Sequence, residues 1–205
     1  MDATRMDGSD RQDVNVRIAG RVRELRAAQG LSLDALAARS GVSRSMISLV
    51  ERGESSPTAV VLERLSVGLG VTMAALFDTP EAAEPQPKGP VARRADQPQW
   101  KDPDSGYLRR NVSPPGVPQP MQIVDVRFPA GGRVAFETGA RDVRVHQQVW
   151  VLEGRIDVTL GKERHRLAEG DCLAMQLDRP VVFHNPTRKA TRYAVVIASE
   201  GIARR

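Results

Sequence analysis

Residues 32–53 read SLDALAARSGVSRSMISLVERG, and this stretch decides how the N-terminal third of the chain folds. Ser32 is placed to cap a helix carrying Leu33, Leu36 and Ala37 on one side, its hydroxyl accepting from an otherwise unpaired backbone N–H. Gly41 follows where that helix must stop, because a sharp turn needs a left-handed backbone that glycine adopts at least cost. Ser43 caps a second helix, along which Met46, Ile47 and Val50 recur at three- and four-residue steps. The spacing sets Ala37 where the two helices cross closely and Ile47 in the wedge between them. Two short helices joined by a tight turn follow from these residues alone.

Working outward, Val16–Gln29 is helical in pattern. Ile18, Val22 and Leu25 form one stripe, Arg17, Arg21 and Arg23 lie mostly off it, and Gly30 ends the run. Residues 1–13 carry few apolar side chains and are expected to be disordered. On the other side, Glu54-Ser55-Ser56-Pro57 is a loop, and Pro57-Thr58 opens a fourth helix with Val61, Leu62, Leu65 and Leu69 inward. Gly70 ends it, and Thr72 caps a short fifth helix bearing Met73, Leu76 and Phe77. Residues 79–97, TPEAAEPQPKGPVARRADQ, have no apolar periodicity and read as a proline-rich linker, with Arg93 and Arg94 as an exposed pair.

After Trp100 the pattern changes to short apolar alternations separated by Gly, Pro and Asn. Strands are expected over Gln122–Phe128, Val149–Leu152, Ile156–Leu160, Cys172–Met175, Val181–Phe183 and Tyr193–Ala198, with a turn region at Arg166–Asp171. That density of strands calls for a sandwich or barrel. The expected architecture has two domains, an all-α domain of five helices over 14–78 and an all-β domain over 98–205.

Composition narrows the functional classes. No apolar run approaches the roughly 18–20 residues a membrane helix needs, and the polar start, MDATRMDGSDRQD, does not read as a signal peptide. The single cysteine, Cys172, suits a reducing cytoplasm and is expected to be a small buried hydrophobe. The net charge of +5 lies wholly after residue 97, where 17 basic residues face 12 acidic ones. Nucleic-acid binding by the helical part therefore has to be argued from geometry and not from bulk charge.

The five-helix pattern and its turn resemble the DNA-binding domain of phage-repressor-like (Xre-type) regulators, in which the second motif helix lies in the major groove. On that resemblance, Arg44, Ser45, Ser48 and Leu49 are the expected base-reading residues, and double-stranded DNA is the expected partner. Ser32, Leu33 and Arg52 are expected on phosphates, and Arg26 and Glu51 as an ion pair between the first and third helices. The order VWVLEGRIDVTLG, RLAEGDCLAM, DRPVVFHNP resembles the two motifs of a cupin, a small jelly roll. Metal-binding cupins carry two histidines and a glutamate in the first motif and a histidine in the second. Here the corresponding positions fall near Arg141 and Val143, on Gln147 and on Val181, a set that cannot hold a metal. His146 and His184 lie close by but should point to the opposite faces of their strands, and His165 reads as an exposed strand residue.

No metal, no cofactor and no enzymatic activity are therefore expected. Arg141, Val143, Gln147, Val149, Val181 and Phe183 would either line a pocket for a small, partly apolar effector or simply pack the barrel. The resemblance implies a cytoplasmic, homodimeric transcriptional regulator whose cupin senses an effector, holds the dimer, or both. Two rivals are a metal-dependent cupin enzyme carrying a DNA-binding domain and an antitoxin-like interaction scaffold. Stoichiometric metal would mark the first, and failure to select DNA the second.

Overall fold

The computed structural model describes residues 8–78, 89–115, 120–137 and 143–201. Its first part contains four α-helices, α1 (Gly8–Ala28), α2 (Leu33–Ser40), α3 (Arg44–Glu51) and α4 (Ala59–Gly68), followed by a 3-10 helix at Met73–Phe77. The caps fall where the side chains dictate. Ser32 accepts from the Ala35 N–H, Ser43 from Met46, Thr58 from Val61 and Thr72 from Ala75. Gly41 takes the left-handed conformation at φ 67°, and its N–H closes on the Ala37 carbonyl. Ile18, Val22, Leu36, Ile47, Leu62, Leu65 and Leu76 are completely buried.

One expectation is corrected here. Residues 8–13, expected to be disordered, continue α1 toward the N-terminus. A second close crossing, which the sequence did not suggest, lies where Gly68 of α4 meets Ser40 of α2. A Cβ at Gly68 would fall 2.8 Å from the Ser40 Cβ and 3.1 Å from the Leu36 Cδ1. Gly68→Ala is accordingly expected to destabilise by about 1–2 kcal/mol, overpacking outweighing any gain in helix propensity. The urea unfolding midpoint checks this, and an unchanged or higher midpoint would mean that Ser40 yields.

The second part is an antiparallel double sheet of the cupin jelly-roll type. Its strands are β1 (Gln99–Lys101), β2 (Leu108–Asn111), β3 (Met121–Phe128), β4 (Arg133–Phe136), β5 (Val143–Glu153), β6 (Arg155–Leu160), β7 (Glu163–Ala168), β8 (Cys172–Gln176), β9 (Val181–His184) and β10 (Thr191–Gly201). One sheet has the order β1-β2-β3-β10-β5-β8 and the other β4-β9-β6-β7. Alternate residues such as Val124, Val126, Phe128, Val149 and Val195 face the space between them. The turn expected at Arg166–Asp171 starts later, because Glu163–Ala168 is a strand paired along its length with β6. Cys172 is exposed and not a buried hydrophobe. Of the proline-rich segment, the described residues 89–97 include a short 3-10 turn at Arg94–Asp96, and Arg93 and Arg94 are exposed.

The two domains share one continuous apolar core. Phe77 meets Trp100 edge-on at 5.9 Å, and Trp100 meets Tyr107 at 5.7 Å, so an aromatic series runs from the helices into the jelly roll. Asp102, buried in the β1–β2 connection, accepts the Ala59 N–H at 3.0 Å and so satisfies the first turn of α4. Arg64 pairs with Glu137 at 2.7 Å, and Thr72 meets Gln122 at 3.2 Å.

Candidate nucleic-acid interface and ligand cavity

Helix α3 owes its orientation to the side it buries. Ile47 and Val50 are in the core, which leaves Arg44 and Ser45 exposed at its start and Ser48 and Leu49 half-buried along its flank. Among the described residues Arg44 is held by a loose contact to Asp34 at 3.3 Å, both side chains lying in solvent, so it remains available to a base edge. Ser32 is exposed at the start of α2 and Leu33 half-buried beside it. Their backbone N–H groups lie at a helix N-terminus, where an anion is favoured.

Arg52, expected on a phosphate, is engaged within the chain. Its Nε and Nη2 each reach Glu54 at 2.8 Å, and its Nη1 donates to Ser48. The Glu54 carboxyl is held below its usual range by that hydrogen-bonded guanidinium. A phosphate would have to displace Glu54 to use Arg52.

Behind this surface, Arg26 Nε and Nη2 grip Glu51 at 2.6 and 2.8 Å in a fork-to-fork pair, and Arg26 Nη1 donates to the Leu31 carbonyl at 2.8 Å. Arg23 donates to the Glu51 carbonyl. The pair thus fastens the end of α1 to the end of α3 and fixes the angle at which α3 is presented.

A cavity of about 60 Å³ lies between the two sheets, its roof formed by Glu63, Thr72 and Met73 of the helical domain. Gln147, Val181 and Phe183 are among its lining residues. Val149 is not, and this corrects the reading that placed it on the wall. It is completely buried at mid-sheet between Val195 of β10 and Leu173 of β8. Val143 lies at the start of β5, and Arg141 falls outside the described residues.

With Gln147 and Val181 at two family ligand positions, the residues present do not fit a cupin metal. His146 lies on the face of β5 opposite Gln147, and His184 stands 4.0 Å from Asp157. His165 is half-buried in β7. Among the described residues no group of three or more His, Cys, Asp or Glu is arranged to hold a metal.

Sequence reasoning missed the polar centre of the cavity. Arg109 of β2 is 7% exposed, with Tyr107 and Tyr193 also buried beside the same space. Burial raises both phenols and keeps them neutral, and it lowers the Arg109 guanidinium from its usual value. The run Leu108-Arg109-Arg110-Asn111 carries no apolar alternation, so no local signal marked it as a strand with one side chain turned inward.

A helix-turn-helix with an exposed second helix, stacked on a jelly roll that encloses a cavity, defines a two-domain DNA-binding protein with an all-β companion domain. The HTH_3 family, described as Helix-turn-helix, matches residues 22–76. The HTH-type transcriptional regulator SutR of Escherichia coli (strain K12) is 38% identical over 176 residues, covering 86% of this chain and 91% of that protein. The chain belongs to this family of HTH-type transcriptional regulators. Control protein C.MunI of Mycoplasma sp is 33% identical over 66 residues, 32% of this chain and 89% of that one. The crystal structure of an HTH_3 family transcriptional regulator from Vibrio cholerae superposes with a TM-score of 0.72 at 26% identity, covering 91% of this chain and 97% of that chain. Among the described residues no helix is long and apolar enough to cross a membrane.

Proposed function

We propose that two copies of this chain bind a two-fold-symmetric operator in the cytoplasm, with the jelly roll serving both as dimerisation module and as sensor of a small molecule. The observation that carries the DNA reading is the exposure of Arg44 and Ser45 at the start of α3 while Ile47 and Val50 are buried. Arg44 can make a bidentate contact to guanine, and Ser45, Ser48 and Leu49 can contact neighbouring base edges. The α2 start at Ser32 and Leu33 would face one phosphate, and Arg52 another once Glu54 releases it. One such helix buries too little surface to compete with the genome, so two half-sites about 34 Å apart, or a multiple of that, are required.

Selection of bound DNA from random fragments, followed by titration of Arg44→Ala, tests this reading. The variant is expected to lose about 1–3 kcal/mol on the selected site, and its specificity should relax at one base pair per half-site. An equal loss on every sequence would assign Arg44 to the DNA backbone instead.

A dimer surface is suggested by the outer face of the six-stranded sheet. Trp150, Met121 and Ile123 are 51%, 50% and 40% exposed. The register sets Ala194 between Trp150 and Asp125, Val196 between Gln148 and Ile123, and Ala198 between His146 and Met121, so the face is shallow and mixes apolar with polar side chains. A second copy is the occupant, because symmetric DNA reading needs one. The sensor role rests on the cavity and its shared roof. Val181 has no ligand atom and Gln147 only a neutral amide oxygen, a lining that favours recognition over metal-dependent catalysis there.

A further inference from the structure

We infer that the cavity binds a small organic carboxylate, anchored by Arg109 at the junction of the two domains. This deepens the sensor role proposed above and rests on it. Arg109 is a cation 93% removed from solvent, and its Nη2 has no hydrogen-bond partner. Its Nε reaches Asn111 Oδ1 at 3.3 Å, the Tyr107 hydroxyl stands beside the guanidinium as a neutral partner, and among the described residues it has no ion pair with a carboxylate. A buried, unpaired guanidinium is costly unless an anion meets it, and its forked donors match a carboxylate in two parallel bonds.

The remaining lining sets the rest of the ligand. Val126, Val195 and Phe183 supply apolar walls, and Gln147 offers both a donor and an acceptor. Glu63 closes the cavity on the side of the helical domain, and Arg109 is the cation on the opposite wall toward which a carboxylate is drawn. At about 60 Å³ the space exceeds the roughly 10–15 Å³ that a single water needs on the same measure and admits a compact molecule. Short-chain acids of roughly two to four carbons fit that description.

Arg109 also lies over the Phe77 ring, 5.3 Å from its centroid. Phe77 belongs to the 3-10 helix of the helical domain. A carboxylate that draws on the guanidinium charge alters this cation–π contact, so occupancy is felt directly by the domain that carries α3.

The test uses the full chain with propionate and its uncharged isostere propionamide. Propionate is expected to raise the melting temperature saturably and to bind by calorimetry, and propionamide to do neither. Arg109→Gln should weaken propionate by roughly 10- to 100-fold, the worth of hydrogen bonds to a charged group. Should that variant not fold, Val195→Phe, which fills the cavity while leaving Arg109 in place, should abolish propionate binding. No saturable effect of propionate, equal binding of the amide, or full affinity retained in the folded variants would overturn the site. Operator affinity measured with and without propionate reports separately on sensing. Binding that leaves operator affinity unchanged upholds the carboxylate site and removes only the sensor role.

Discussion

Glu51→Ala should destabilise the protein by about 3–5 kcal/mol, the cost of leaving one member of a buried ion pair without its partner. Glu51 has a side chain 7% exposed and Arg26 one 19% exposed, so water can replace the lost carboxylate only in part. Both guanidinium bonds to Glu51 would be lost together, while the bond to the Leu31 carbonyl would hold the charge in place. The hydrogen bond to Glu51 raises Arg26 above its already high value, so the guanidinium stays charged over the accessible pH range. Arg26→Met combined with Glu51→Leu should recover most of the loss, because apolar groups of similar volume need no partner. Unfolding of the two single variants and the double variant in urea gives the coupling directly. If the double variant loses as much as the two single variants added together, the pair contributes nothing as a pair. Because the pair sets the angle of α3, the single variants should also bind the selected operator less tightly at temperatures where they remain folded.

If the proposed dimer forms through this face, Trp150→Glu should convert it to a monomer and reduce operator affinity by about 10²- to 10⁴-fold. The factor is what linking two readers supplies, since the second half-site is then bound at high effective concentration. A carboxylate at this position would be buried against its symmetry mate on the outer face of the sheet, beside Ala194 and Cys172 in the register. Trp150→Phe should keep both dimer and affinity, which separates loss of apolar contact from loss of the native ring. Sedimentation equilibrium and operator titration read the two effects independently. A Trp150→Glu protein that sediments as a dimer and binds DNA normally would remove this face from the assembly.

The elements legible in the sequence are those specified by local chemistry. Ser32, Gly41 and Ser43 mark the helix-turn-helix because a cap and a left-handed turn are decided within four residues. The strands around Ile123, Ile156 and Val195 were legible because one of their faces is buried and their apolar residues alternate. The end of β7, 166–168, reads as a turn in the sequence because β7 is an edge strand paired with β6 alone among the described strands, and Glu163, Arg164 and Arg166 are exposed along it. β1 and β2 are short, and their inward residues, Trp100 and Arg109, acquire meaning only when the helical domain closes over them. Gly68 reads locally as part of a helix end, and only the approach of Ser40 shows why a side chain does not fit there. The candidate DNA face was therefore readable from neighbours in sequence, whereas the centre of the cavity depends on residues brought together from five or more elements.

The hydrogen bond from the Ala59 N–H to Asp102 has a consequence for how the protein is made. Residues 59–68 leave the ribosome more than thirty residues before Asp102 does, so α4 is synthesised before the carboxylate that completes its first turn. Until the start of the jelly roll has been translated, the nascent helical domain lacks that cap and the apolar cover of Trp100 on Phe77. A chain truncated between residues 78 and 99 would thus release a helix-turn-helix with a weakened fourth helix. Interrupted synthesis would then produce few DNA readers that lack the companion domain.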